Sequence, residues 1–318
     1  MHKIFNNKKI LIAGGSGLVG TNLTEYLVKE KVNITSSFFS KIKNKKLKKY
    51  YKKFNFLNIK DCLKSTKNKD IVIICAVQGG GIKLLKKATS SSIIPNILIR
   101  ANLLEACKIN KVKKVIWISS STVYQPANYP IKEIDIDLNK NPYPIYRNVG
   151  WSYRYLENLF SFYQRTTNLD IKIIRTTSIY GPYDNFDEKK SHVVPALIKK
   201  ALKKNKRFSV LGDKKVIRDF VYVEDLVLAI IKLIKSNKKI KPINFSYGRE
   251  MSIEKLSKLI LLLCHRKSKI IFNNKSLSSA KYRVLNNYLF DRTFGKIKRT
   301  SIKDGLKKTI NWYLNYSN

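Results

Sequence analysis

The feature that most constrains this 318-residue chain is a glycine-spaced turn near its start. A short apolar run over residues 9–13 leads into Gly14, Gly17 and Gly20, spaced G-x-x-G-x-x-G, and a helical pattern opens there. One glycine permits a tight turn, another lets the backbone approach a pyrophosphate, and the last lets helix and strand pack closely. The helix N-terminus offers free N–H groups to phosphates. The turn therefore predicts a dinucleotide-binding site. Its candidate contacts are Gly14, Ser16, Gly17, Leu18, Val19 and Gly20.

Apolar runs alternate with helical patterns through the first half of the chain, as repeated strand–helix–strand units do. Most of these runs are continuous in Ile and Val, which is typical of parallel strands buried on both faces. We therefore predict an α/β fold with a Rossmann doubly wound parallel sheet over residues 1–180. Strands are expected at residues 9–13, 33–38, 71–76, 115–119 and 171–176. Helices are expected at residues 17–30, 94–110 and 151–166, with Pro95 in a first turn.

Residues 181–318 show a mixed pattern that predicts a smaller α/β substrate domain, partly interleaved with the sheet. Gly181 and Pro182 break the preceding pattern, and short apolar runs at 208–210 and 243–246 follow. Because open α/β sheets bind ligands beyond the carboxyl ends of their strands, this region is expected to complete the ligand site. Its helices are expected at residues 194–204, 223–235, 252–264 and 301–313.

The charge balance is strongly basic, with 64 Lys and Arg against 21 Asp and Glu and a formal net charge of +43. Such a field attracts nucleic acid, anionic membranes or phosphorylated ligands. The lysines, however, are spread over the whole chain among many Asn and Ile residues. Even the densest run, residues 41–53, is typical of a solvated helix face. With no zinc-finger, RNP or helix-turn-helix pattern, we expect no dedicated nucleic-acid site.

The sequence also predicts a cytoplasmic protein without a membrane anchor or a metal site. Its first residues lead directly into a strand and leave no room for a secretory signal, and no apolar run is long enough to span a bilayer. The four cysteines lack the spacing of metal ligands and are expected to be buried, reduced thiols. They are Cys62, Cys75, Cys107 and Cys264.

The segment after the second strand bears on which dinucleotide is bound. Sites that prefer NAD usually place a carboxylate there for the adenosine ribose, and residues 31–60 contain no Asp or Glu. Instead, the serines Ser36, Ser37 and Ser40 precede Lys41. Hydroxyl groups and a lysine suit a 2′-phosphate, so the sequence favours NADP(H) over NAD(H) and makes Lys41 a candidate contact.

Further segments, in order along essentially the whole chain, resemble motifs of the extended short-chain dehydrogenase/reductase family. The resemblance is to its nucleotide-sugar epimerases, dehydratases and reductases. It includes a glycine-rich segment, a strand with a catalytic serine, a substrate-domain signature and a closing helix. The segments are residues 75–82, 117–124, 179–186, 191–197, 218–225 and 300–313.

The resemblance implies a hydride transfer supported by a tyrosine, a serine and a lysine. The serine is Ser120, with Ser119 beside it as a cofactor contact, and His192 is a second candidate catalytic residue. Some of the family's epimerases also use a cysteine two residues after the serine. Thr122 occupies that position here, and its hydroxyl is a far poorer acid than a thiol. On the substrate side, Arg218 matches an arginine that grips the nucleotide diphosphate and Lys200 a second phosphate-binding residue. A nucleotide-sugar substrate and a homodimer are likewise implied.

The family's Tyr-x-x-x-Lys pair is missing, and two registrations remain open. The first is local: Tyr143 and Arg147 have the right spacing, with arginine in place of lysine. Arginine is a wider, planar group and not an equivalent replacement. Pro142 and Pro144 also make this segment a poor helix, although the pair normally lies on one.

The second registration, which we favour, uses two anchors. The family places a glutamate four residues after the lysine and a Tyr-Gly-Pro turn a fairly fixed distance further on, and Glu157 and Gly181 satisfy both. Val149 then replaces the catalytic tyrosine and Tyr153 replaces the lysine. Valine cannot transfer a proton, and tyrosine carries no cation. The nearest substitutes are Tyr146 and Tyr153 itself.

We therefore predict an NAD(P)-dependent nucleotide-sugar epimerase, dehydratase or reductase that acts by hydride transfer with an altered Tyr/Lys pair. The alternative is a catalytically impaired protein that binds a dinucleotide or a nucleotide sugar. Nucleic-acid binding through the basic surface is the third and least favoured function.

Overall fold

The computed structural model describes residues 5, 7–79, 90–188, 190–203, 205–273 and 280–317. Its strands are β1 Lys9–Ala13, β2 Asn33–Phe38, β3 Tyr51–Lys53, β4 Ile71–Ile74, β5 Lys114–Ser120, β6 Asp170–Thr176, β7 Ser178–Tyr180, β8 Arg207–Leu211, β9 Ile217–Arg218, β10 Phe220–Tyr222, β11 Ile243–Asn244, β12 Met251–Ser252, β13 Lys269–Asn273 and β14 Tyr282–Arg283. Its α-helices are α1 Leu18–Lys29, α2 Ile59–Thr66, α3 Ser90–Ile109, α4 Arg147–Thr166, α5 Val193–Leu202, α6 Val223–Lys235, α7 Ile253–Leu263, α8 Tyr288–Phe294 and α9 Ile302–Ser317.

A seven-stranded parallel sheet in the order β11-β6-β5-β4-β1-β2-β3 forms the centre of the fold. Alternate residues of a strand point to opposite faces, and β1 shows this directly. Ile10 and Ile12 pack in a cluster with α1 and α6, whereas Leu11 and Ala13 pack in a second cluster with α3 and α4. Helices therefore cover both faces, which confirms the predicted Rossmann doubly wound fold.

The second half of the chain forms three small sheets, with pairings β7–β10, β12–β9–β14 and β8–β13. A separate core of buried side chains joins α5, α7 and α9. This half also supplies two elements of the main layer. They are β11, which pairs with β6 at the edge of the main sheet, and α6, which packs against α1. The division into residues 1–180 and 181–318 stays a prediction.

Local differences from the prediction have simple causes. Helix α3 begins at Ser90, so Pro95 lies inside it and its expected place in the first turn was wrong. Helix α4 begins before the predicted residue 151 because Pro144 occupies the first position of a 3₁₀ turn, Pro144–Tyr146, where its missing N–H costs little.

The lysine-rich run at 41–53 was wrongly expected to be one helix face. It forms a short 3₁₀ helix, Lys45–Tyr50, followed by β3, and every lysine in it except Lys43 is exposed. Residues 80–82 of the glycine-rich segment lie outside the described residues. Over the described ranges, no helix is long and apolar enough to cross a membrane.

Candidate functional site

The glycine turn lies where the strand order reverses, between β1 and β4. Their following segments lead to opposite faces of the sheet and leave a crevice at this switch point. Gly14 has φ +87°, and a Cβ added there would lie 2.5 Å from the Cα of Ala76, beyond β4. The Gly14 N–H also donates to the Ser37 hydroxyl at 2.7 Å. Only glycine fits this position, because both its conformation and its surroundings exclude a side chain.

Gly20 and Gly17 differ in their surroundings. A Cβ at Gly20 would lie 2.2 Å from the carbonyl oxygen of Gly14, so Gly20 allows α1 to pack against the turn. Gly17 precedes α1 and is open, because an added Cβ would meet only that same oxygen, at 3.4 Å. Within the described part of the chain, no side chain caps α1, and the first turn of α1 has no acidic residue. The backbone N–H groups in the first turn of α1 are therefore free, and they and the space beside Gly17 fit the phosphates of a dinucleotide.

One cavity of about 790 Å³ connects this helix end to the second half of the chain. The predicted site residues that line it are Gly17, Leu18, Val19, Gly20, Ser120, His192, Lys200 and Arg218. The predicted residues outside its lining are Gly14, Ser16, Lys41 and Ser119. Lys200 donates its Nζ to the carbonyl of Ser209 at 2.7 Å. The assignment of a role to each residue stays a prediction.

Ser119 belongs to a buried polar network beneath the cavity. Its hydroxyl donates to Glu157 at 2.6 Å, and Glu157 forms an ion pair with Arg175, also at 2.6 Å. Arg175 donates in turn to the Tyr124 hydroxyl, which donates to the Asn244 side chain. The network ties α4 to β5, β6 and β11. The Ser119 hydroxyl is therefore already hydrogen-bonded within the protein. Glu157, one of the two anchors of the favoured registration, is paired with Arg175.

The expected 2′-phosphate contacts are arranged differently from the prediction. Ser36 and Ser37 lie within β2 and are buried, and their hydroxyls bond to Thr24 and to the N–H of Gly14. Those two hydroxyls are therefore occupied by the protein itself. Lys41 is exposed, while Lys43 lines the cavity and donates to the carbonyl of Tyr183. The sequence contains Lys43 in the same lysine run, but only the fold distinguishes it.

Asp184 is a cavity residue that the sequence did not single out. It is 7% exposed, and its Oδ1 accepts the N–H of Asn185 at 2.7 Å. Its Oδ2 has no hydrogen-bond partner in the described part of the chain. Burial raises the pKa of Asp184 to about 7, against the opposing effects of the Asn185 N–H and the Lys43 charge. A buried carboxylate thus borders the cavity, and one of its two oxygens has no hydrogen-bond partner among the described residues.

Ser120 and Val149 meet at the same cavity. The Ser120 hydroxyl accepts from the N–H of Thr122 at 3.2 Å and from its hydroxyl at 3.0 Å. Tyr146 lines the cavity as well. Tyr153 does not, because its ring stacks on Trp117 and its hydroxyl accepts from Arg100 at 2.9 Å.

The residues of the local registration lie elsewhere. The Tyr143 hydroxyl accepts the N–H of Lys281 at 3.1 Å, and Arg147 is exposed. Neither lines the large cavity. Of the two registrations, only the second therefore places a residue, Val149, in the cavity that Ser120 lines.

Two arginines and a histidine form the far part of the cavity. Arg218 is buried beside Arg283, and burial together with the Arg283 charge lowers its pKa to about 10. Neither arginine has a carboxylate within ion-pair distance among the residues described. His192 precedes α5, is accessible from the cavity, and has its pKa lowered by desolvation and by Arg283. This pocket suits an anionic ligand. Arg283 was missed because it carries no motif and follows Arg218 by 65 residues.

The comparisons define the class of protein. Residues 10–248 match the NAD dependent epimerase/dehydratase family, and the chain belongs to that family. This confirms the resemblance to the extended short-chain dehydrogenase/reductases and supports a dinucleotide cofactor.

Individual relatives are more distant. The chain is 27% identical to GDP-L-fucose synthase of Dictyostelium discoideum, over 99% of this chain and 98% of that protein. UDP-glucose 4-epimerase of Thermotoga maritima, solved with UDP-glucose, has a TM-score of 0.87 at 20% identity, covering 98% of this chain and 100% of its own. A GDP-L-fucose synthetase of Naegleria fowleri, bound to NADP, has a TM-score of 0.82 at 22% identity, covering 98% and 95%.

The open end of α1 allows a charge test of the cofactor site. Gly17→Asp is expected to keep the fold, because aspartate is a good N-cap and Gly17 has φ −76°. Its carboxylate would compete with phosphate, so the affinity for a reduced nicotinamide dinucleotide should fall about tenfold or more. Gly17→Asn is the matched control, with the same size and no charge. Titration of cofactor fluorescence measures both, and equal affinities would contradict a phosphate at this helix end.

Proposed function

We propose that this chain uses NADP(H) to reduce or epimerise a nucleotide-linked sugar, in the manner of the GDP-L-fucose synthases. The observation that carries the proposal is the continuity of one cavity. It runs from the uncapped start of α1, past Ser120, to Arg218 and His192. A dinucleotide with its phosphates at α1 and a nucleotide sugar with its diphosphate at the arginines would therefore share one cavity.

The preference for NADP(H) is supported by charge. No carboxylate follows β2 within residues 31–60, and Lys43 lines the cavity near the loop that carries Lys41. The Naegleria fowleri relative of similar fold binds NADP. A bound nicotinamide supplies or accepts the hydride, while Ser120 provides a hydroxyl for the sugar oxygen. A cytoplasmic homodimer is part of the same proposal.

The altered pair is also part of the proposal. Val149 lines the same cavity as Ser120, at the position that the favoured registration gives to the tyrosine, and Tyr153 is directed to Arg100 rather than to the cavity. Transfer of the proton therefore requires another group, since valine has no ionisable atom.

The proposal is tested by turnover. The protein is mixed with GDP- and UDP-linked 4-keto sugars and with NADPH or NADH, and the nicotinamide absorbance is followed. We expect oxidation with NADPH in preference to NADH, and a loss of about 10²-fold or more in Ser120→Ala. Tight NADPH binding without turnover of any nucleotide sugar would instead identify a binding protein. A clear preference for NADH would overturn the choice of cofactor.

A further inference from the structure

One tyrosine, Tyr146, lines the cavity three residues before Val149. In the favoured registration, Val149 occupies the position of the family's catalytic tyrosine. Tyr146 ends the 3₁₀ turn that leads into α4, and it lines the cavity together with Ser120 and Val149. Tyr146 caps the start of α4 three residues before Val149, and residues three apart on a helix lie on the same face. Among the described residues, Tyr146 is the one tyrosine in the cavity lining.

The surroundings of Tyr146 are positively charged. Its side chain is buried, and the Arg283 guanidinium carbon lies 4.9 Å from the centre of its ring. Burial alone raises the pKa of Tyr146, but the charges and hydrogen bonds of Arg283 and Arg218 outweigh it and bring the pKa below its ordinary value. In the family that this chain resembles, a lysine has this effect on the catalytic tyrosine.

Other nearby phenols lack these properties. Burial raises the pKa of Tyr124 to about 12, and its hydroxyl is shared with Arg175 and Asn244. Tyr153 has its hydroxyl on Arg100, outside the cavity. Tyr146 therefore combines access to the cavity with a cationic environment.

We propose that Tyr146 is the proton donor and acceptor of this site, with Arg218 and Arg283 as the cations that keep it active. The proposal rests on the proposed function. In reduction, the Tyr146 O–H bond breaks and its proton passes to the oxygen of the sugar carbonyl. The carbonyl carbon gains the hydride of the bound cofactor, and the π electrons of the C=O bond move to that oxygen. The phenolate then takes up a proton from bulk solvent, which restores the phenol.

The same arginines are the expected partners of the substrate diphosphate, and this has a measurable consequence. A bound dianion offsets their charge, so the pKa of Tyr146 should be higher in the complex than in the free protein. Reduction needs the protonated phenol and slows as the pH rises through this pKa. The decline of kcat/KM, which reports the free protein, is therefore expected at lower pH than the decline of kcat.

The first experiment compares two variants of α4 and its preceding turn. Tyr146→Phe should lower kcat by about 10²–10⁴-fold while its NADPH affinity stays within about twofold. Tyr155→Phe, exposed on α4, should retain the kcat of the unmodified protein. Full turnover in Tyr146→Phe, or its loss in Tyr153→Phe instead, would overturn the role of Tyr146. No turnover by the unmodified protein with any nucleotide sugar would overturn the proposed function itself.

A second measurement needs no substrate. Phenolate formation is followed by ultraviolet difference absorbance as the pH is raised. The earliest phenol to ionise in the unmodified protein should be absent from Tyr146→Phe and should ionise at higher pH in Arg283→Met. Identical titration curves for all three proteins would show that the arginines do not act on Tyr146, and would overturn the proposal independently of turnover.

Discussion

Replacing Glu157 with alanine is expected to destabilise the fold by about 3–5 kcal/mol, because it leaves the Arg175 guanidinium buried without its counter-charge. The two side chains are only 6% and 5% exposed, and Glu157 also accepts the Ser119 hydroxyl. The presence of Glu157 raises the pKa of Arg175 even though burial acts in the opposite direction. The loss of stability should appear as a lower denaturant midpoint with an unchanged slope.

The matched control is a carboxylate in an exposed ion pair. Glu254 pairs with Lys258 at 2.7 Å on the surface of α7, where solvent screens both charges. Glu254→Ala is expected to leave the midpoint close to that of the unmodified protein. Similar midpoints for Glu157→Ala and Glu254→Ala would show that the buried network does not stabilise the junction of α4 with the sheet.

Replacing Asp184 with asparagine is expected to increase the free energy of unfolding at alkaline pH. Burial raises the pKa of Asp184 from 3.8 to about 7, so the folded state holds the proton more tightly than the unfolded chain. The stability of the unmodified protein therefore falls as the pH rises from about the unfolded value through 7, and asparagine escapes this loss. Relative to the unmodified protein, the variant should gain about 2–3 kcal/mol between pH 5 and pH 8.

Unfolding free energies at several pH values measure this gain. Asp219 provides the contrast, because it is also buried but accepts backbone N–H groups from Gly248 and Leu285. Asp219→Asn places an amide group against those donors, which costs stability. Because burial raises the pKa of Asp219 only to about 6, the gain of Asp219→Asn between pH 5 and pH 8 should be smaller than that of Asp184→Asn. A stability difference between Asp184→Asn and the unmodified protein that does not change with pH would contradict an ionising carboxylate at position 184.

Most of the central sheet was predictable because strands such as β1, β4, β5 and β6 are apolar runs bounded by turns. The three-residue strand β3 was missed, since it lies in the lysine-rich run. β1 and β2 begin and end at the predicted residues, and α6 does so as well. The short strands of the second half, such as β9 and β14, have two residues each and therefore no periodicity to detect. Their positions follow from pairing with distant parts of the chain.

The candidate site was predictable where a motif places a residue and not where folding alone does. Gly17, Gly20, Ser120 and Arg218 stand in recognisable segments and line the cavity. Arg283 and Asp184 were not singled out, since a lone arginine in a lysine-rich chain and an aspartate in a turn look ordinary. The buried positions of Ser36 and Ser37 depend on contacts with α1 and the turn, which no local pattern reveals.

The position of β11 at the edge of the main sheet has a consequence for synthesis of the chain. Until residues 243–244 leave the ribosome, β6 lacks its outer neighbour and α1 lacks the cover of α6. The hydrophobic surface of the N-terminal half therefore stays exposed until most of the chain has been synthesised. During this interval, the unpaired edge of β6 is a template for association with other chains. Newly made protein is expected to depend on chaperones more than its early, regular strands suggest.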